Sequence, residues 1–348
     1  MGVDLGDLAI KHSIGLDSLS NKIVAIDAFN ILYQFLSSIR QEDGTPLMDF
    51  KGNVTAHLSG LFYRNIRLLE SGIRPVYVFD GKAHRLKERV QGERAEVKRQ
   101  AEAKWKAALE AEKFEDAKKF AQATSRLTGA MIEESKQLLD AMGIPTIQAP
   151  SDGEAQAAMM VQQGLAYATA SQDYDALMFG SPLLVRNLSI TGRRKVPRQD
   201  RYIMVEPELI ELKESLASLG IDRSGLVLIG ILLGTDFNEG VKRVGPKTAL
   251  KIVKEHKSLE AVIAYVKEKY DYQFEVDAEE VLHLFLDPPY APPGELDLKS
   301  RPLDSERIMK MLVSEHDFSE ERVQRTIEGF QKITKERSAQ SKLDQWLG

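Results

Sequence analysis

No cysteine occurs in the 348 residues. That absence excludes disulfides, thiolate metal sites and cysteine catalysis. It fits an intracellular protein, expected in the cytoplasm. No apolar run approaches the ~18 residues that span a bilayer, so no membrane contact is expected. The opening "MGVDLGDLAI" has neither the basic flank nor the apolar core of a secretory signal. Gly2 stands where a myristoylation signal would place it, but position 6 is Gly rather than Ser or Thr, and that reading is set aside. The chain also lacks a basic excess: 47 Lys and Arg face 52 Asp and Glu, a net charge of −5. Any nucleic-acid footprint must therefore be local. With six histidines and no cysteine, a zinc site has little to build on.

What is present is enough apolar sequence for a large core, 43% of the chain. Strand-like runs alternate with helical patterns: "NKIVAID" (21–27), "RPVYVFD" (74–80), "IPTIQAP" (144–150), "YATASQD" (167–173) and "LLVRNLS" (183–189). Segments 29–40, 55–71 and 130–142 carry helical periodicity. Continuous apolar strands separated by helices predict an α/β fold with a mostly parallel central sheet flanked by helices. From Glu206 to about Tyr270 the pattern reads as all helical. A proline-rich connector, "DPPYAPPGELD" (287–297), precedes further helices at about 303–335.

Residues 82–130 differ from the rest. They hold 13 Lys and Arg against 8 Asp and Glu, an excess of +5 in an acidic chain. Lys87, Gln91, Arg94 and Lys98 fall on one face of a helix. A helix this polar all round bridges solvent or is unstable alone.

Several strand-like runs end in acid. "IVAID" ends at Asp27, "VYVFD" at Asp80, and "ATASQD" at Asp173 with Asp175 close behind. "APSDGEAQAA" adds Asp152 and Glu154, and "LLGTDFNEG" adds Asp236. In an open parallel sheet the ligand site lies beyond the carboxyl ends of the strands, so these seven acids converge on one crevice. Like charges there would drive protonation unless cations offset them. A carboxylate-only set suits Mg²⁺ or Mn²⁺, and two ions ~4 Å apart would serve phosphodiester hydrolysis. Each acid also has a plainer reading. Asp27 and Asp80 could be helix caps, and Ser151 with Glu154 fits a capping box.

"LLGTDFNEGVKRVGPKTALKIV" (232–253) places a glycine-rich loop between two apolar helices, a helix–loop–helix over about 224–256. Gly245 and the helix start after it, with Thr248, would offer backbone N–H groups to an anion. Lys242, Arg243 and Lys247 add charge, which suits contact with a nucleic-acid backbone. The loop nearly matches a phosphate-binding nucleotide loop, but Pro246 interrupts it and a helix precedes it. The plainer reading is a helical hairpin that needs glycines to turn. A second basic stretch, "RNLSITGRRKVPRQDR" (186–201), reads as a hairpin or loop carrying Arg193, Arg194, Lys195 and Arg198, with a solvated turn as the plainer reading.

Taken together, "DAFNILYQFL", "VYVFDGKAHRLKERVQGER", "PSDGEAQAA", "SQDYDALMFG" and "GTDFNEGVKRVGPKTA" resemble the flap endonucleases of archaeal type, within the structure-specific 5′ nucleases. The resemblance runs from "MGVDLGDL" to "LDQWLG". It implies that all seven acids bind two Mg²⁺ ions, with Mn²⁺ able to substitute. It implies that the basic insert is a helical arch over a 5′ single strand, with Lys87 and Arg94 gripping the scissile phosphate. Tyr33 would stack on an unpaired base and Gly2 would lie near the cleft. The 193–195 stretch would contact duplex DNA. Asp152 departs from the pattern, which usually has Glu there, so a direct contact could become water-mediated. The tail "QSKLDQWL" resembles a sliding-clamp-binding box through Gln340, Leu343, Trp346 and Leu347, with Leu in place of the last aromatic. The expectation is a monomer with one nuclease domain, 1–335, and a flexible clamp-binding tail, 336–348. It would cut branched DNA with a 5′ flap. An acidic-core RNA nuclease would lack the insert and the helix–loop–helix. A non-catalytic junction binder would gain nothing from acids beside phosphates.

Overall fold

The computed structural model describes residues 3–41, 43–87, 100, 104–105, 125–190, 192–195 and 202–347. Side chains at 190, 193–195, 202–203 and 337–347 lie outside that description. Nine strands form among the described residues: β1 His12–Ser13, β2 Ile23–Asp27, β3 Arg74–Phe79, β4 Thr146–Gln148, β5 Ala168–Ala170, β6 Leu183–Arg186, β7 Gly192–Lys195, β8 Tyr202–Val205 and β9 Glu208–Glu211. Seven build one sheet in the order β1-β9-β6-β5-β2-β3-β4. The five strands from β6 to β4 are parallel, and they are the five apolar runs read from the sequence. β9 pairs antiparallel with β6, and β1 with β9. β7 and β8 form a separate antiparallel hairpin, as the basic stretch suggested.

β9 corrects the sequence reading, which took Glu206 to about Tyr270 as all helical. Its Glu208-Leu209-Ile210-Glu211 has one buried residue, Ile210. An edge strand this short and half polar carries almost no apolar periodicity to read.

The parallel strands alternate between two buried layers. Val24, Ile26, Tyr77 and Phe79 face one; Ala25, Val76 and Val78 face the other. The first layer holds helices Ala28–Ser38, Ala56–Glu70 and Gly129–Ala141, with Val323 and Ile327 of the final helix Glu320–Leu347. Helix Gly153–Gln162 covers the second through Ala157, Met160 and Val161. Each large side chain buried this way contributes about 1.5–3 kcal/mol. A further apolar cluster joins helix Asp175–Met178 to helices Arg223–Leu233, Pro246–His256 and Ala278–Leu286. Among the described residues no single helix is long and apolar enough to cross a membrane.

Candidate active site

The strand order fixes where the acids meet. After β2 the chain builds β3 and β4 on one side, then crosses back to lay β5 and β6 on the other. The switch point lies between β2 and β5, where an open parallel sheet leaves its crevice. Asp27 closes β2, and Asp173 follows β5 on the same edge. Asp80 lies just past β3, and Asp152 and Glu154 follow β4. Asp175 opens helix Asp175–Met178, and Asp236 comes from the loop after Arg223–Leu233. Phe237 anchors that loop, with its ring 5.3 Å from Phe285.

One plainer reading from the sequence, the Asp27 cap, holds alongside convergence, and Asp152 adds a cap that the sequence reading assigns to Ser151. Asp27 caps helix Ala28–Ser38, its Oδ1 accepting from the Asn30 backbone N–H at 3.1 Å. Asp152 caps helix Gly153–Gln162, accepting from the Glu154 N–H at 3.0 Å. Asp80 accepts from the Gly153 N–H at 2.8 Å. A Cβ on residue 153 would come 2.7 Å from Asp80 Oδ1, so glycine is what permits this approach. The capping box does not form: Asp152 rather than Ser151 is the cap, and Glu154 Oε1 is buried without a hydrogen-bond partner. Asp175 Oδ1 accepts from the Val3 N–H at 2.8 Å, which ties the N-terminal segment to the cleft.

The electrostatics show how closely the acids face one another. Burial first, then the charges of Asp80, Asp152 and Asp173, push the Asp27 carboxyl well above the usual range. Burial and the charges of Asp27, Asp175, Asp173 and Asp152 do the same to Glu154. Asp175 is raised by burial, Asp236, Asp173 and Asp152. Asp80 is pushed up to about 6, by burial and Asp152. Lys87 sits among them, paired with Asp152 and 3.9 Å from Asp236. Burial works against its charge, but Asp152, Asp236 and Asp80 outweigh that and raise its proton affinity.

This is the donor chemistry of a hard divalent cation: oxygen-only, carboxylate-rich, with one buried oxygen left without a partner. Among the described residues no three of the acids already stand in the geometry of a single ion's shell. Backbone N–H groups and Lys87 hold several of their oxygens instead. The set fits the group by chemistry.

Comparison with known proteins then decides the family. A model of the XPG N-terminal domain matches residues 5–101, and one of the XPG I-region matches residues 143–236. Flap endonuclease 1 of Aeropyrum pernix is 50% identical over 355 residues, covering 100% of both chains. Flap endonuclease 1 of Thermococcus onnurineus is 51% identical over 349 residues, covering 100% of this chain and 99% of that one. The chain belongs to the flap endonuclease 1 family. A solved flap endonuclease-1 from Methanococcus jannaschii is 40% identical, with a TM-score of 0.74 over 97% of this chain and 100% of that one. The family acts as nucleases, hydrolases of DNA phosphodiester bonds.

The other residues singled out from the sequence fall as follows. Tyr33 lies exposed on helix Ala28–Ser38. Lys242, Arg243 and Lys247 are exposed around the loop that ends at Gly245, with Thr248 half-buried. The helix that precedes this loop rules against a nucleotide loop. Arg193, Arg194 and Lys195 form β7, with side chains outside the described residues. Gly2, Arg94, Arg198 and most of the 82–130 insert lie outside them too. Helix Glu320–Leu347 carries the backbone of Gln340, Leu343, Trp346 and Leu347, whose side chains are likewise outside.

One site residue was missed. Asn30 ties the two sides of the switch point together through three hydrogen bonds. Its backbone N–H holds Asp27, its Nδ2 donates to Asp173 Oδ2 at 2.9 Å, and its Oδ1 accepts from the Gln172 N–H at 3.0 Å. The available signal was the Asp-x-x-Asn spacing in "DAFN", which places an amide beside the capping acid.

Proposed function

We propose that this chain is a structure-specific 5′ flap endonuclease with 5′–3′ exonuclease activity, cutting one DNA phosphodiester near a single-strand/double-strand junction. The observation that carries the reading is the set of seven acids gathered at the sheet's switch point, four of them with raised proton affinity. Asp27, Asp80, Asp152, Glu154, Asp173, Asp175 and Asp236 would hold two Mg²⁺ ions, or Mn²⁺ in their place. Bound there, divalent cations supply Lewis-acid stabilisation of the attacking and leaving oxygens.

The protein's own groups do the rest. Lys87, poised among the acids, and Arg94 would grip the scissile phosphate and balance its growing charge. Tyr33 would stack on an unpaired base, for ~1–3 kcal/mol. Lys242, Arg243, Lys247 and Thr248 would follow one strand's phosphates. Gly245 supports this: its φ of −101° suits any residue and a Cβ would meet nothing within 4 Å, so the fold does not require glycine there. Bareness at that helix start leaves room for a phosphate to approach the backbone. Gly2 would border the cleft, and the β7–β8 hairpin would touch duplex DNA through Arg193, Arg194 and Lys195. Branched DNA would be read by shape and bending, and affinity would fall steeply with salt. The tail would bind a replicative sliding clamp, and the enzyme would work as a cytoplasmic monomer.

The test is cleavage of end-labelled 5′-flap DNA, with and without Mg²⁺, by the wild type and Asp175→Ala. Mg²⁺-dependent cutting near the junction, lost in the variant while DNA binding persists, is the expected result. Equal cutting by the variant would return Asp175 to a helix-start role. No cutting by either protein would favour a junction binder.

A further inference from the structure

The turn that carries Asp173 and Asp175 has a buried tyrosine at its centre, and a single arginine holds that tyrosine. Arg186, at the end of β6, donates from Nε to the Gln172 carbonyl at 3.0 Å and from Nη1 to the Tyr174 hydroxyl at 2.5 Å. Its guanidinium lies 4.3 Å from the centre of the Tyr174 ring. Lys11 also approaches that ring, at 5.9 Å. Glu208 stands directly opposite Arg186 in the β6–β9 register and accepts from Nη1 at 3.2 Å. Gln172 is therefore fixed from both sides, its N–H by Asn30 and its carbonyl by Arg186. A Cβ on Gly6 would come 3.2 Å from the Tyr174 hydroxyl, so the N-terminal segment is cut to fit it.

We propose that Arg186 is a positioning residue that sets the spacing of Asp173 and Asp175 for divalent-cation binding by locking the Gln172–Tyr174 turn. Resting on the reading of these acids as cation ligands, it goes beyond that reading by naming what holds two of them. A planar fork can bridge a carbonyl and a hydroxyl while stacking on a ring; an ammonium cannot do all three. Groups that orient metal ligands in this way are typically worth about 10–100-fold in metal affinity.

The experiment is direct Mn²⁺ binding, by calorimetry and by the loss of free-ion paramagnetic signal, without DNA. The proteins are the full-length wild type, Asp175→Ala, Arg186→Met, Arg186→Lys and Tyr174→Phe, and metal-free thermal unfolding is recorded for each. Arg186→Met should weaken Mn²⁺ binding about tenfold or more. Arg186→Lys should recover part of that loss. Tyr174→Phe, which keeps the ring and removes one acceptor, should lose less than Arg186→Met. In cleavage, the Mg²⁺ concentration for half-maximal rate should rise while saturating Mg²⁺ restores most of the rate, a rescue that general misfolding would not allow. Wild-type binding that Asp175→Ala abolishes but Arg186→Met leaves unchanged would overturn this inference alone. Absence of binding by the wild type would overturn the reading of the site and this inference with it. If Arg186→Met does not fold, Tyr174→Phe decides: unchanged Mn²⁺ affinity there would overturn the proposal.

Discussion

Asp49, Asp27, Glu154 and Asp175 are all buried carboxylates, yet the proton affinity of Asp49 moves in the opposite direction to those of the other three. At Asp49 burial pushes upward, but the Asn53 side chain and backbone, His316 and the Lys51 N–H pull the carboxyl below its usual range. Its oxygens accept from the N–H groups of Lys51 at 3.0 Å and Asn53 at 2.8 Å and from Asn53 Nδ2 at 2.9 Å, and His316 Nδ1 lies 3.3 Å away. In the cleft, burial pushes Asp27, Glu154 and Asp175 upward and the neighbouring acids push further. The difference is in what each carboxylate faces. Asp49 faces donors, so the fold itself holds it as an anion. The cleft acids face one another, and the deficit is of the kind a divalent cation satisfies. Burial alone thus does not set the direction of the shift; what the carboxylate faces decides it.

The largest effects should come from neutralising a cleft acid. Glu154→Gln keeps the shape of the side chain and removes one of the mutually repelling charges. Cleavage at saturating substrate should fall by about a thousandfold, the scale of several kcal/mol of charge stabilisation. Metal-free stability should rise by about 0.5–2 kcal/mol, because a charge held at cost is gone. A cleavage assay and denaturant unfolding in EDTA check both halves. Cleavage at the wild-type rate would put Glu154 with Asp49, among acids the fold alone explains.

A second, smaller effect lies along the pH axis. A carboxyl raised in the folded state binds protons there more readily than in the unfolded chain. Metal-free stability should therefore rise as pH falls through about 6, the Asp80 value, towards the unfolded value of 3.8. The gain from Asp80 is on the order of 2–3 kcal/mol across that window. Saturating Mg²⁺ should flatten or reverse this slope, since ions and protons compete for the same oxygens. Thermal melts from pH 8 to 5, with EDTA and with Mg²⁺, measure it. Parallel slopes in the two conditions would mean that the acids are not the cation's ligands.

The cleft was legible in the sequence for a definite reason. Five continuous apolar runs announced buried parallel strands, and the acids at their ends had only one edge on which to meet. The plainer alternative was legible at Asp27 and turned out to be compatible, since Asp27 caps a helix within the cluster; the cap at Asp152 was not read from the sequence. The Glu154 capping box was wrong because Asp152 reached the helix N–H first. β9 escaped because four residues with one buried side chain leave no period to detect. Asn30 and Arg186 escaped because their partners lie 143 and 14 residues away along the chain. Asp49 left no trace at all: a single acid in "LMDFKGN" gives no hint that four polar groups will close around it.

Asp49 supplies the opposite limb of the pH comparison. Its carboxyl is depressed in the folded state, so its contribution is present above the ordinary aspartate value of 3.8 and is lost as pH falls through the folded one. Asp49→Ala should lower the melting temperature by several degrees at neutral pH, with the gap to the wild type closing in acid. In the cleft, acid helps the metal-free protein; here it should remove a support. A gap that widens on acidification would break the contrast between the two sites.

The smallest effect should come from the residue next door. Phe50 is 94% exposed, and its backbone N–H donates to Asp317 Oδ2 at 2.9 Å. Replacing the ring leaves that hydrogen bond in place, so Phe50→Ser should change stability by no more than about 0.5 kcal/mol. The pair Asp49→Ala and Phe50→Ser then separates two explanations for the first. If the loop is held by the carboxylate and its donors, adjacent substitutions differ sharply. If any change to the loop loosened it, the two would cost alike, and Asp49 would be no more an anchor than its exposed neighbour. Equilibrium unfolding of both proteins at one pH is sufficient to tell.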